Sequence, residues 1–194
     1  MIIIAFDGAS GTGKSVMINL LKEFFQHAHR ADVCVERIIS SELETKLDEF
    51  KKSGTKDMHQ EYCEMLIKAY KDGYNRLCQK EAEFQKINRN KELIVILDRY
   101  LLSLFAIQGE QWGINNLYDR CKAENIPLPD LQFIIQLANK SLPEDEYFRA
   151  AGKKFDTEKQ WIRNMLSYSD IEYNILGYEF VRDYILDFLK QEVV

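Results

Sequence analysis

Proline is scarce in this 194-residue chain, with three residues in all, and cysteine is thinly spread, at Cys34, Cys63, Cys78 and Cys121. So few prolines, with no internal repeat or low-complexity tract, exclude a fibrous or disordered chain. Cysteines this far apart make neither a CxxC metal pair nor a dense disulfide framework, so free thiols in a reducing compartment, the cytoplasm, are expected. No run approaches the ~18 apolar residues of a membrane span. Nor does the start of the chain carry the basic segment and apolar stretch of a secretory signal. Positive charge is in the minority: 26 Lys and Arg stand against 31 Asp and Glu, net -5. That excludes a broad basic face for coating nucleic acid, although a small phosphorylated ligand needs only local positive charge. What the chain does have is 46% hydrophobic and 12% aromatic residues, enough for a real core in a single domain of residues 1–194.

The apolar residues follow two rhythms. Ile2-Ile3-Ile4-Ala5-Phe6 and Leu93-Ile94-Val95-Ile96-Leu97 are continuous apolar runs, and Leu131 to Leu137 is a third, mostly apolar one. Such runs suit strands in a parallel sheet covered by helices on both faces. Val33 to Ile39 reads as a further short strand. Elsewhere the spacing is helical: Met17, Leu20, Leu21, Phe24 and Phe25 form one stripe, and Phe180, Val181, Tyr184, Ile185, Phe188 and Leu189 another. The stretch from Ser41 to Lys86 reads as two helices parted at Gly54, and Glu144 to Tyr173 as a long helical stretch interrupted at Gly152. The charged run from Lys80 to Lys91 reads as a solvated helix end. Strands alternating with helices predict an α/β fold of right-handed βαβ units, with ligands at the carboxyl ends of the strands.

Gly8-Ala9-Ser10-Gly11-Thr12-Gly13-Lys14-Ser15 matches G-x-x-x-x-G-K-[ST] in full, after a buried strand and at the opening of a helix. Glycines let successive N–H groups turn inward around phosphate oxygens, and the helix N-terminus adds its dipole. Lys14 can reach the β- and γ-phosphates of ATP, and the Ser15 hydroxyl can ligate Mg²⁺. This predicts nucleotide binding with phosphoryl transfer. Asp98, just past the second apolar run, is a candidate second oxygen ligand for Mg²⁺. Arg99 beside it suits a bidentate grip on phosphate. Read alone, the pair serves equally as a surface salt bridge worth ~0–1 kcal/mol.

Asp98-Arg99-Tyr100-Leu101-Leu102-Ser103, continuing to Ala106-Ile107-Gln108-Gly109, resembles the DRY-x-x-S…QG segment of thymidylate kinases. Ile126-Pro127-Leu128-Pro129-Asp130-Leu131 is similar to that family's P-x-P-D-L segment, and Glu36-Arg37 to a Glu-Arg that eukaryotic-type members carry. The stretch around Trp161 and Arg163, after Phe155-Asp156, resembles the helix that follows the lid. The resemblance implies a P-loop kinase fold with a short lid at about residues 144–156. It also implies transfer of the γ-phosphoryl of Mg-ATP to a nucleoside monophosphate, dTMP first, by a homodimer. Gly8 to Ser15 would bind ATP, Asp7 would lie near the acceptor and its metal, and Arg37 and Arg99 would hold the acceptor's phosphate. Ser103 and Gln108 would line the acceptor pocket.

Departures from the family pattern shift other roles. The phosphate loop has no arginine at Ser10-Gly11-Thr12, so the lid cations Arg149, Lys153, Lys154 and Arg163 become catalytic candidates, with a solvated helix face as the competing reading. In the base-binding helix the family's Leu-Leu-Phe-x-x-x-Arg is replaced by Leu66-Ile67-Lys68-Ala69-Tyr70-Lys71-Asp72. Tyr70 or Tyr74 could then stack on the base and Arg76 contact the nucleotide, although tyrosines at helical spacing more often pack in a core. Two alternatives stand beside the leading one: a deoxynucleoside kinase using Asp7 or Glu36 as base, and a non-catalytic nucleotide-binding regulator of the same fold.

Overall fold

A computed structural model describes residues 1–8, 14–27, 32–39, 45, 59–89, 91–103, 117–135, 174–176 and 178–192. Five parallel strands form one sheet: β1 (Ile2–Asp7), β2 (Asp32–Glu36), β3 (Leu93–Asp98), β4 (Leu131–Ile135) and β5 (Asn174–Leu176). Their spatial order is β2-β3-β1-β4-β5, so β1 is central, flanked by β3 and β4. Helices α1 (Lys14–His27), α2 (His59–Ile87), the single turn α3 (Leu101–Ser103), α4 (Leu117–Ala123) and α5 (Tyr178–Glu192) connect and cover them.

Every residue of β1 is buried, because alternate side chains enter two different cores. Ile2, Ile4 and Phe6 pack with Met17, Ile18, Leu21 and Phe25 of α1 and with Val181 and Ile185 of α5. Ile3 and Ala5 pack on the opposite side, with Leu66, Ile67, Tyr70 and Leu77 of α2 and with Tyr100 to Leu102. The expected parallel α/β sheet with helices on both faces is what forms.

Three features differ from the sequence expectation. β2 stops at Glu36, short of Ile39: its ladder with β3 ends at the Glu36–Leu97 pair, and Ile38 leaves the strand to bury itself against α2. β5 adds three residues beside β4, just past the long helical stretch that the sequence predicts. The charged run from Lys80 is not wholly solvated, since Lys80 pairs with Glu36 of β2 and Glu81 takes the terminal ammonium of Met1 at 2.5 Å. Gly54 and the stretch from Glu144 to Tyr173 lie outside the described residues. No described helix is long and apolar enough to cross a membrane.

Candidate functional site

The site lies at the carboxyl ends of β1, β2 and β3, where Lys14 in the first turn of α1 reaches back to the end of β1, Arg99 bonds to β1 and Arg37 to Asp98. Gly8 leaves β1 with φ +138°, and a Cβ there would come within 2.4 Å of the Ile135 carbonyl oxygen of β4. Only glycine fits that conformation and that approach. Lys14 opens α1, and its buried ammonium donates to the Gly8 carbonyl at 2.8 Å. The lysine thus spans the loop from the helix end back to the strand end. Ser15 follows, exposed in the first helical turn.

Asp7 is fully buried and ties this strand end to the turn after β3. Its Oδ1 accepts from the backbone N–H of Tyr100 at 3.1 Å, the N–H of Ser103 at 3.0 Å and the Ser103 hydroxyl. Its Oδ2 accepts from Gln132 Nε2 of β4 at 2.7 Å. Burial pushes the Asp7 carboxyl above its ordinary value, while those donors and the nearby Arg99 charge pull it back. Arg99 adopts φ 73°, rare for a non-glycine residue, and its N–H donates to the Phe6 carbonyl at 3.0 Å. Strain of this kind persists only where surroundings hold it, and it concentrates at binding sites.

Arg37, just beyond β2, reaches Asp98 at the end of β3, with Nη2 at 3.2 Å from Oδ2. Glu36 accepts from Lys80 and from the Cys34 thiol. Burial raises its carboxyl, but the Lys80 and Cys34 bonds and the Lys80 charge outweigh that and leave it below the usual range. The expected residues Asp7, Gly8, Lys14, Ser15, Arg37, Asp98 and Arg99 therefore gather at one end of the sheet.

Other expected residues take different places. Ser103 is buried with its hydroxyl on Asp7, so it braces the turn after β3. Tyr70 is 3% exposed. Its hydroxyl donates to the Tyr100 carbonyl at 3.2 Å, and its ring lies 5.8 Å from that of Tyr100. This is the packing reading, because a ring so enclosed offers no free face for stacking. Arg76 points to the Ile38 carbonyl at 2.9 Å. Gln108, Arg149, Lys153, Lys154 and Arg163, and residues 9–13 of the phosphate loop, lie outside the described residues.

Two polar residues were not anticipated. Gln132 sits 2% exposed within the apolar run of β4, and a buried amide with no apolar reason to be there is itself a signal of a polar partner. Asp130, read only as part of a motif, accepts from the backbone N–H of Ile3 at 2.7 Å.

The donor set suits the ligands expected. A hydroxyl at Ser15 and a carboxylate at Asp98 are hard oxygen donors of the kind Mg²⁺ prefers. A lysine folded over the strand end and a helix N-terminus are groups that suit a polyphosphate. A parallel sheet with a phosphate loop after its central strand defines the P-loop class of nucleotide-binding α/β proteins. Within that class, the thymidylate kinase family model matches residues 6–168, and the chain belongs to that family. It is 29% identical over 136 residues to a probable thymidylate kinase of Saccharolobus solfataricus; the match covers 70% of this chain and 65% of that relative's length. It is 27% identical over 158 residues to a thymidylate kinase of Rickettsia canadensis, covering 79% of this chain and 73% of that one. The crystal structure of thymidylate kinase from Ehrlichia chaffeensis superposes with a TM-score of 0.62 at 19% identity, covering 97% of this chain and 98% of the other.

Proposed function

We propose that this protein transfers the γ-phosphoryl group of ATP to dTMP. The observation that carries the reading is the bonding between the phosphate-loop strand and the arginine-bearing turn. The N–H of Arg99 is bonded to Phe6, and those of Tyr100 and Ser103 to Asp7. The donor cradle and the acceptor arginine are thus built as one unit, and phosphoryl transfer depends chiefly on such positioning and on placed cations.

In this reading Lys14 neutralises charge on the β- and γ-phosphates and the loop from Gly8 to Ser15 encloses them. Bound Mg²⁺, held by Ser15 and Asp98, would supply charge neutralisation between the phosphates. Arg99 and Arg37 grip the acceptor phosphate, and Arg149 and Lys154 of the lid cover the transferring group. A homodimer acting in the cytoplasm completes the proposal; light scattering on the purified chain tests the stoichiometry. The deoxynucleoside kinase reading gains no support from the carboxylates, since Asp7 is occupied by four donors and Glu36 by Lys80 and Cys34.

The test is ADP formation with a panel of nucleosides and nucleoside monophosphates, with Lys14→Ala as control. Turnover should be confined to monophosphates and greatest with dTMP, and Lys14→Ala should lower it at least ~100-fold, the scale of removing one preorganised transition-state contact. Turnover of thymidine but not dTMP would sink the proposal, and ATP binding without turnover on any acceptor would favour the regulator.

A further inference from the structure

Helix α2 turns one face toward the end of β2. Gly73, Arg76, Leu77 and Lys80 recur along it at helical spacing. Gly73 lies against Ile38 so closely that a Cβ would come within 2.8 Å of Ile38 Cγ2 and 3.0 Å of its carbonyl oxygen. Arg76, about one turn on, donates to that same carbonyl at 2.9 Å. Lys80, another turn on, meets the Glu36 carboxylate. Residues 36 and 38 are thereby fixed to the helix. Arg37, between them, is 63% exposed and reaches outward to Asp98.

A helix interior is an unfavourable place for glycine, so its position at this contact points to the close approach it permits. Arg76 likewise meets a main-chain oxygen, not the site's open end. From this we infer that Gly73 and Arg76 are positioning residues for Arg37: they seat the segment after β2 so that its guanidinium stands preorganised for the acceptor's phosphate. The inference rests on the proposed reading of Arg37. It assigns Arg76 a role distinct from the nucleotide contact expected from sequence, since its effect is transmitted through Ile38 and Arg37.

The experiment uses the full chain, first establishing dTMP turnover in the wild type. Arg76→Ala should raise KM for dTMP about fivefold, the worth of one hydrogen bond, and leave KM for ATP within about twofold. Arg76→Lys should restore part of the loss, because an ammonium can donate to the same carbonyl. Equilibrium titration should show weaker binding of dTMP and unchanged binding of thymidine, which has no phosphate for Arg37 to hold. In an Arg37→Ala background, Arg76→Ala should cost nothing further, since its effect runs through the missing guanidinium. Gly73→Ala should give the same split between acceptor and ATP, although alanine favours the helix. Full additivity of Arg37→Ala and Arg76→Ala, or equal loss of dTMP and thymidine binding, would overturn the inference alone. A wild type that neither binds nor phosphorylates any nucleoside monophosphate would overturn the functional reading and this inference with it.

Discussion

Asp7 illustrates how one buried carboxylate can be both expensive and organised. Its four donors come from β4 and from the turn after β3, with Arg99 adding a favourable charge and Tyr70 of α2 the other ionisable group at its back. Gln132 Oε1 has no hydrogen-bond partner among the described residues. A flipped amide could therefore accept from a neutral group at position 7, so Gln132 can serve either charge state. Because the folded carboxyl sits above its ordinary 3.8, the native state holds the proton more tightly than the unfolded chain. The associated stability is fully present below that value and is lost as pH rises through the folded-state value. Asp7→Asn removes this dependence, and its amide can donate to Gln132. The stability difference, wild type minus variant, should therefore shrink as pH rises above about 4 in urea unfolding curves; a widening difference would contradict the assignment. Arg99 offers a second residue-scale test. At φ 73° a side chain of any kind costs about 1 kcal/mol that glycine avoids. Arg99→Gly should therefore be about 1 kcal/mol more stable than Arg99→Ala, while both lose acceptor phosphorylation alike. Equal stability of the two would deny the strain.

The elements differ in how openly their sequences announce them. β1 and β3 are apolar on both sides, and that pattern has few readings other than a covered central strand. Lys14 and the glycines could be placed on a strand-to-helix turn because the motif spans adjacent residues. β5 is three residues long, and its place is set by the register with Phe133 to Ile135, which no pattern within Asn174–Leu176 can express. Gln132 and Ser103 derive their purpose from Asp7, remote in sequence, so the chain's local periodicity shows only a polar residue among apolar ones. Arg76 was legible as a cation on α2, but its destination depends on where β2 ends. Asp130 makes a prediction about elements. Its carboxylate extends the pairing of β1 beyond the first ladder pair, Ile4 with Leu131. Asp130→Ala leaves the buried Ile3 N–H without that acceptor and should lower stability by about 1–3 kcal/mol. Hydrogen exchange at Ile3 should accelerate in this variant; unchanged protection there would refute the strand-clip role.

At the scale of the whole molecule, the net charge of -5 and the cationic site are separate matters. Global charge governs solubility, whereas in the proposed reading affinity for ATP would depend on Lys14 and the local helix dipole, and affinity for the acceptor on Arg37 and Arg99. Saturating Mg-ATP at ~100 times its dissociation constant adds about 2.7 kcal/mol, and for a chain of this size that raises Tm by roughly 5–10 °C. The shift should vanish in Lys14→Ala, as thermal unfolding followed by circular dichroism will show. A shift retained in full would remove Lys14 from the nucleotide site.

The strand order has a consequence for biosynthesis. β1 leaves the ribosome before both of its neighbours, which are β3, with Ile2 opposite Ile94, and β4, with Ile4 opposite Leu131. At 5–20 residues per second, translation supplies the first of these only after roughly 5–20 s. Throughout that interval Ile2-Ile3-Ile4-Ala5-Phe6 is without either of its sheet partners, a short apolar segment of the kind prone to aggregate, and it is the strand that leads into Gly8.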